Sequence, residues 1–384
     1  MRRVCVVITA RASYSRVKTI LAHLANRDDV ELQIVTTASA LVERAGRVSD
    51  VIRAEGFTIS AEVSSLVEGD TSLQMVQTTG LGLIEIGSVL QRLNPDLVVT
   101  IADRYETITT AIAASYMRIP LAHIQGGEIT GNIDEKVRHA ITKLADLHLV
   151  CTAASKSNVI AMGENPQSVF LAECPSIDIA KSVIDRRPID FSPFKKYGGV
   201  GEEIELTGKY LVVMQHPVTS ETSFARTHVE NILKVVGQLG IPTMWFWPNV
   251  DAGADATSKE IRRFREQSDS TNIHFFKNMS PEDFLVLINN CSVLIGNSSV
   301  GIRESSFLGV PVVNIGTRQL GRECAENVVH SGYEQAEIES SILKQIKHGR
   351  YSSSLLYGSG NSGKLISEIL ATAILTTDKK LNFQ

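Results

Sequence analysis

The chain of 384 residues is short of several things that would each point to a class of protein. It has only five cysteines, Cys5, Cys151, Cys174, Cys291 and Cys324, an odd number with no Cys-x-x-Cys pair among them. That argues against a disulfide framework and against a thiolate zinc site, and it predicts reduced, packed thiols and no metal. There is no basic excess: 38 Lys and Arg stand against 42 Asp and Glu, a net charge of -4. A nucleic-acid partner, which normally demands a basic patch or stripe, is not expected. Any anionic ligand must instead be held by a few placed basic groups and backbone N–H donors. No Gly-x-Gly-x-x-Gly is present, so no dinucleotide cofactor is expected. No apolar run approaches the ~20 residues needed to span a bilayer. Arg2-Arg3 before Val4–Ile8 resembles a signal peptide only superficially, because Arg11 cuts the run and no small-residue cleavage site follows. These absences together predict a soluble cytoplasmic protein with no membrane partner.

What the sequence does contain is an alternation of short apolar runs with longer amphipathic stretches. Strands are expected at 4–9, 32–36, 97–101, 121–124 and 147–151. Helices are expected at 14–26, 41–54, 73–93, 107–117 and 134–144. The strand candidates read as continuous Val/Ile/Leu runs, as in a parallel sheet covered on both faces. Residues 188–208 break the rhythm with Pro193, Lys195-Lys196 and Gly198-Gly199, which reads as a linker. The pattern restarts with strands at 210–214, 243–247, 273–276, 293–295 and 310–315 and helices at 223–239, 258–266 and 281–290. A last helix is expected at 364–376. The organisation that follows is a doubly wound α/β domain over 1–187, a linker over 188–208, a second α/β domain over 209–360 and a terminal helical segment over 361–384. Ligands of such domains bind at the C-terminal ends of the strands, so the expected site is a cleft between the two.

Five constellations sit at those strand ends. Arg11, Ser15 and Arg16 follow the first strand where the first helix opens; an anion site on the free N–H groups and an ordinary polar turn are both compatible with this. Asp103-Arg104 ends the fourth strand, where Asp103 could face a ligand or cap the next helix. The run from His123 to His139 holds Gly126-Gly127, Glu128, Asp134, Arg138 and His139. Asp134 and Arg138, four apart on a helix, share a face and can pair, and such a pair is either a surface ion pair or the core of an acid–base site. His216-Pro217 ends the first strand of the second domain, as a satisfied loop histidine or a group meeting a phosphate. Gly296-Asn297-Ser298-Ser299, with Glu304 a turn later and Arg318 after the next strand, offers N–H groups, hydroxyls and a cation to a diphosphate and a carboxylate to a ribose.

At these residues the sequence resembles the UDP-N-acetylglucosamine 2-epimerase family, specifically its hydrolysing branch. The resemblance runs from about Val4 to Val329. It is carried by Arg11–Ser15, Asp103-Arg104, His123–Glu128, Ile133-Asp134 with Arg138-His139, His216–Thr219, Asn249-Val250-Asp251-Ala252-Gly253, Gly296–Ser299 and Gly316–Gln319. It implies a GT-B fold of two Rossmann-like doubly wound domains facing a central cleft, with a C-terminal helix crossing back to the first domain. It implies UDP bound by His216, Asn249, Ser298, Ser299, Glu304 and Arg318, with Arg11, Ser15 and Arg104 contributed by the first domain. By the same resemblance Asp103, Glu128 and Asp134 fall on the family's catalytic carboxylates and Arg138 on their arginine partner, and His216 would also stabilise the leaving diphosphate. The implied reaction converts UDP-GlcNAc and water to N-acetylmannosamine and UDP through a 2-acetamidoglucal, feeding sialic-acid-type sugar biosynthesis. It needs no cofactor. The implied assembly is a homodimer or homotetramer. Two departures bear on the sugar: Ser13 stands where the branch commonly has Asp, and Gln125 where it commonly has Glu. UDP-2,4-diacetamido-2,4,6-trideoxyglucose, of legionaminic acid pathways, is therefore an alternative substrate. A non-hydrolysing epimerase is a further alternative, disfavoured by the loop Thr9–Ser15.

Overall fold

A computed structural model of the chain describes residues 1–384 other than 44–45, 70, 131–132, 219–220, 249–253, 268–271 and 383–384, with backbone alone at 133, 222, 254–256 and 267. The chain forms two compact units. The first comprises Met1–Ile129, Ile133–Asp178 and Tyr357–Gln384; the second comprises Thr130–Asn132 and Ile179–Leu356.

The first unit is built on seven parallel strands: β1 (Arg2–Ile8), β2 (Val30–Thr37), β3 (Ala61–Val63), β4 (Leu97–Ile101), β5 (Leu121–Ile124), β6 (Leu147–Val150) and β7 (Val169–Leu171). Their spatial order is β3-β2-β1-β4-β5-β6-β7. Every residue of β4, β5 and β6 is buried, which is why these strands read as unbroken apolar runs rather than alternating ones. On one face of the sheet, Val6, Ile8, Val99 and Ile101 pack with Val17 and Leu21 of the helix Arg11–Ala25 and with Ile366 and Leu370 of the helix Ser362–Thr372. The other face buries Cys5, Val7, Ile86, Leu90, Ala111 and Ile141. Arg2 ties the terminal segment down by donating from its guanidinium to the carbonyls of Leu370 (2.8 Å) and Ala373 (2.9 Å).

The second unit has six parallel strands: β8 (Leu211–Met214), β9 (Thr243–Phe246), β10 (Ile273–Phe276), β11 (Val293–Gly296), β12 (Val312–Ile315) and β13 (Val328–Ser331), in the order β10-β9-β8-β11-β12-β13. Its core gathers Leu211, Val213, Trp245, Phe275, Ile295 and Val313 under the helices Ala225–Leu239 and Gln335–His348. In each unit the chain winds outward both ways from a central pair, β1/β4 and β8/β11, which makes the tips of those pairs the topological switch points.

Some expectations shift. Residues 188–208, expected as a linker, belong to the second unit. Ser192 accepts from the Lys195 amide and Pro193 opens a short helix, Pro193–Tyr197. Lys196 and the Tyr197 hydroxyl then both bond Asp283, each at 2.6 Å. The helix expected over 41–54 reduces to Val48–Ala54 behind a 3-10 turn at Ala38–Leu41. The terminal helix is Ser362–Thr372, and the described residues beyond it, through Asn382, are non-helical. All five cysteines are free thiols. Among the described residues, no helix is long and apolar enough to cross a membrane.

Candidate functional site

The first unit presents its polar groups at the tips of β1, β4 and β5. After β1 the chain turns in two residues, and the helix Arg11–Ala25 begins directly at Arg11. Arg11 and Ser15 therefore lie in the first helical turns rather than in a loop, beside N–H groups that have no intrahelical acceptor. Ser13 is buried and its hydroxyl meets that of Thr9 at 3.3 Å. The β4 tip turns sharply at Ala102, which has a left-handed backbone (φ 64°), a conformation that costs a non-glycine residue about 1–2 kcal/mol. Asp103 follows. Arg104 donates to Glu106 at 2.7 Å. The β5 tip repeats the device: Gln125 is left-handed (φ 67°) and Gly127 follows at φ 77°. A side chain at Gly127 would collide with the Ser155 carbonyl, so glycine is required there.

Arg138 joins these tips. It lies on the helix Ile133–Leu144 with its side chain 1% exposed, and it pairs through Nη2 with the Asp103 carboxylate, itself 16% exposed. Through Nη1 it donates to the Glu128 carbonyl at 2.7 Å. One guanidinium thus fixes Asp103 and the loop that carries Glu128. The Glu128 side chain is buried. Asp134 stands one turn before Arg138, partly buried. The i,i+4 spacing offers Asp134 to Arg138 from the same helix; Asp103, from the tip of β4, is a carboxylate partner that this spacing does not reach. His139 Nε2 lies 3.4 Å from the Glu135 carboxylate.

Behind the cluster sits His123, fully buried in β5. Its Nε2 bonds the Ala102 carbonyl at 2.9 Å and its Nδ1 the Thr142 hydroxyl at 3.2 Å. A carbonyl can only accept, so Nε2 carries the proton and Nδ1 accepts. Burial lowers the imidazole from 6.5 to about 3, so His123 is a neutral strut. The unfolded histidine takes up its proton near pH 6.5 and the folded one only near 3. Between these values the unfolded state binds more protons, so this contribution is whole above pH 6.5 and is lost as pH falls. His123→Gln, which does not titrate, is expected to flatten the unfolding free energy against pH between 6.5 and 4.5. The slope should drop by up to about 1.4 kcal/mol per pH unit. An unchanged slope in denaturant titrations would show that His123 is not held neutral.

The second unit gathers its groups at the tips of β8, β11 and β12. Gly296 ends β11 at φ 127°, where a Cβ would meet the Met214 carbonyl. This close approach sets up a reciprocal clamp. Asn297, fully buried, accepts from the His216 amide and donates to the His216 carbonyl, both at 2.8 Å. Ser298 caps the short helix Ser299–Ile302. Arg318 and Gln319, from the β12 tip, both donate to the Asn297 carbonyl at 3.2 and 2.8 Å. Glu304 opens the next helical turn, Glu304–Leu308, with a buried Oε2 that has no hydrogen-bond partner among the described residues. His216, Ser298, Ser299, Glu304 and Arg318 are thus brought to one end of one sheet. Asn249, with the motif around Asp251 and Gly253, lies outside the described residues, as does Thr219. Asn297, Gln319, His123 and Ala102 are the supports that sequence reasoning did not single out. Asn297, Gln319 and His123 lie inside the motifs; nothing local marks Ala102.

The sequence profile of the family described as UDP-N-acetylglucosamine 2-epimerase matches residues 22–371. The chain is 27% identical to the UDP-N-acetylglucosamine 2-epimerase of Neisseria meningitidis serogroup B, covering 94% of this chain and 92% of that protein. It is also 27% identical to the hydrolysing UDP-N,N'-diacetylbacillosamine 2-epimerase of Legionella pneumophila, covering 97% and 96%. Among solved structures, the UDP-GlcNAc 2-epimerase from Neisseria meningitidis bound to UDP-GlcNAc superposes with a TM-score of 0.79 at 19% identity, covering 96% of this chain and 99% of that one.

Proposed function

The chain belongs to the UDP-N-acetylglucosamine 2-epimerase family, with a fold of the GT-B type, and on that premise we propose that it is the hydrolysing kind of enzyme, releasing UDP and N-acetylmannosamine from UDP-GlcNAc. The observation that supports this best is the buried arginine that ties Asp103 to the Glu128 loop.

The chemistry asks for two proton transfers on opposite faces of C2. A base takes the C2 proton as the C1–O bond breaks, with both electrons leaving on the UDP oxygen, and a 2-acetamidoglucal remains. Water then adds its oxygen to C1 while a proton returns to C2 from the other face. Distinct carboxyl groups suit this, because burial and mutual repulsion separate their affinities for protons. We assign the acid–base roles to Asp103, Glu128 and Asp134, with Arg138 holding the first two in place. UDP is assigned to His216, Asn249, Ser298, Ser299, Glu304 and Arg318, with Arg11, Ser15 and Arg104 also reaching the ligand. The orphaned Glu304 Oε2 suits the ribose hydroxyls, and N–H groups at a helix start suit a diphosphate.

A second substrate is favoured by the Legionella pneumophila relative, which is named for hydrolysing UDP-N,N'-diacetylbacillosamine. Gln125 is no simple pocket-lining group: its side chain is buried and donates to the Cys174 sulfur at 3.3 Å. Incubation with UDP-GlcNAc in deuterated water, followed by NMR, decides between these. Free N-acetylmannosamine carrying deuterium at C2, with one UDP released per sugar, is expected. UDP-ManNAc as the sole product would replace the hydrolysing assignment. Turnover of the diacetamido sugar nucleotide alone would correct the substrate.

A further inference from the structure

We propose that Lys379, in the non-helical segment after the helix Ser362–Thr372, is a positioning residue for the arginine–carboxylate cluster, acting by holding the end of the helix that carries Asp134 and Arg138. This rests on the assignment of Asp103 and Arg138 just given.

The last carbonyls of a helix such as Ile133–Leu144 find no donor within the helix itself and need donors from elsewhere. Lys379 supplies one. Its ammonium donates to the Thr142 carbonyl at 3.1 Å, to the Ala145 carbonyl, and to Glu164 at 2.6 Å. An ammonium has three protons, and the three contacts account for all of them. A cation at this end also complements the helix dipole. The segment is pinned again three residues on, where the Asn382 amide donates to the Gly163 carbonyl at 2.9 Å.

Glu164 is the buried anchor. Besides Lys379 it accepts from Lys143 at 2.5 Å and from His148 Nε2 at 3.1 Å. Burial alone would raise its carboxyl, but the hydrogen bonds from His148, Lys143 and Lys379 outweigh that and hold it at about 2. Burial lowers His148, leaving it a neutral donor here, and also lowers Lys379. A desolvated lysine is tolerated at this place because a carboxylate faces it.

The contact leads into the site by a short, continuous route. Thr142, whose carbonyl Lys379 holds, has a single hydroxyl proton, which the Arg138 carbonyl at 3.0 Å and His123 Nδ1 at 3.2 Å share as acceptors. His123 in turn bonds the carbonyl of Ala102, the strained residue before Asp103. The last turn of the helix therefore braces both members of the Asp103–Arg138 pair. Without Lys379, two helix-end carbonyls lose their donor and Glu164 loses one of the two lysine ammoniums beside it.

The test compares wild type with Lys379→Met and Lys379→Arg in the full-length chain. Amide hydrogen exchange across 133–145 is expected to quicken at least about tenfold in Lys379→Met, as end-fraying of an uncapped helix does. UDP release should show kcat reduced about tenfold with KM within about twofold, because misplacement of a reacting group is felt in the chemical step. Lys379→Arg, which keeps charge and donors, should restore both readouts to within about threefold of wild type. Unchanged exchange in Lys379→Met overturns the proposal, and so does faster exchange with kcat intact or with KM alone altered. If Lys379→Met does not fold, Lys379→Gln is measured by the same criteria. A wild-type protein that releases UDP from no sugar nucleotide would sink the functional assignment, while the exchange comparison would still decide whether Lys379 holds the helix.

Discussion

Arg138→Met is expected to lose both activity and stability, and adding Asp103→Asn to it is expected to return stability alone. Arg138 is almost wholly buried, and its partners include the Asp103 carboxylate and the Glu128 carbonyl. Methionine fills much of the same channel but donates nothing. Removing one partner of a buried pair costs about 3–5 kcal/mol, most of it from the charge left behind. Asp103 retains some exposure, so the lower end of that range applies. Neutralising it as asparagine removes the stranded charge, and roughly half of the loss should come back. Turnover behaves differently. Asp103 and the Glu128 loop lose their common anchor, and displacement of reacting groups by about 1 Å is worth on the order of 100-fold. Both variants should therefore release UDP at least about 100-fold more slowly than wild type. Urea titration and a UDP-release assay on the single and double variants check this. Wild-type stability in Arg138→Met, or activity recovered in the double variant, would show that the arginine does not organise the site.

The frame of this site was legible in the sequence because its strands are buried on both faces. Leu97–Ile101, Leu121–Ile124 and Ile273–Phe276 are found where the apolar runs placed them, and Pro281–Asn290 is found where Pro281 signalled a helix start. What failed to show lacked a local signal. The helix Arg11–Ala25 follows Ala10, which offers no capping side chain, so the apolar pattern alone sets its expected start at Tyr14. The strands Ala61–Val63 and Val169–Leu171 are three residues each, too short for periodicity to register. The polar stretch around Pro193 reads as a linker by composition, yet its polar groups are used on Asp283.

The site divides the same way. Motif spacing brings out Asp103, Glu128 and Arg138, but a helical i,i+4 rule sees only neighbours on the same helix, so it offers Asp134 to Arg138 and says nothing of Asp103. The bond to Asp103 depends on β4 and the helix Ile133–Leu144 being adjacent in space. Lys379 is harder still. It lies among Thr376, Thr377, Asp378 and Lys380, a composition that reads as a solvated end, and only tertiary structure sets it against Glu164. His123 was legible as part of a motif, but its role as a neutral strut follows from burial, which no spacing reveals.

Glu128→Gln separates chemistry from architecture in a way the Arg138 variants cannot. Arg138 bonds the main-chain carbonyl of residue 128, not its carboxylate. Glutamine keeps that carbonyl, the backbone and nearly the same side-chain volume in a buried position. The loop should stay where it is, and UDP affinity, assigned largely to the tips of β8, β11 and β12, should remain within about twofold of wild type. What glutamine cannot do is accept or return a proton. Positioned acid–base groups are worth about 10²–10⁴-fold, and the two-step route uses such groups twice. Turnover is therefore expected to fall by at least about 10³-fold, with no deuterium entering C2 in heavy water. Calorimetric UDP titration and NMR of the sugar product on the same preparation measure both quantities. Activity within about tenfold of wild type would remove Glu128 from the proton-transfer steps. Loss of UDP binding together with turnover would make it a structural residue. Retained binding with turnover abolished is the combination that places a proton on the Glu128 carboxylate during the reaction.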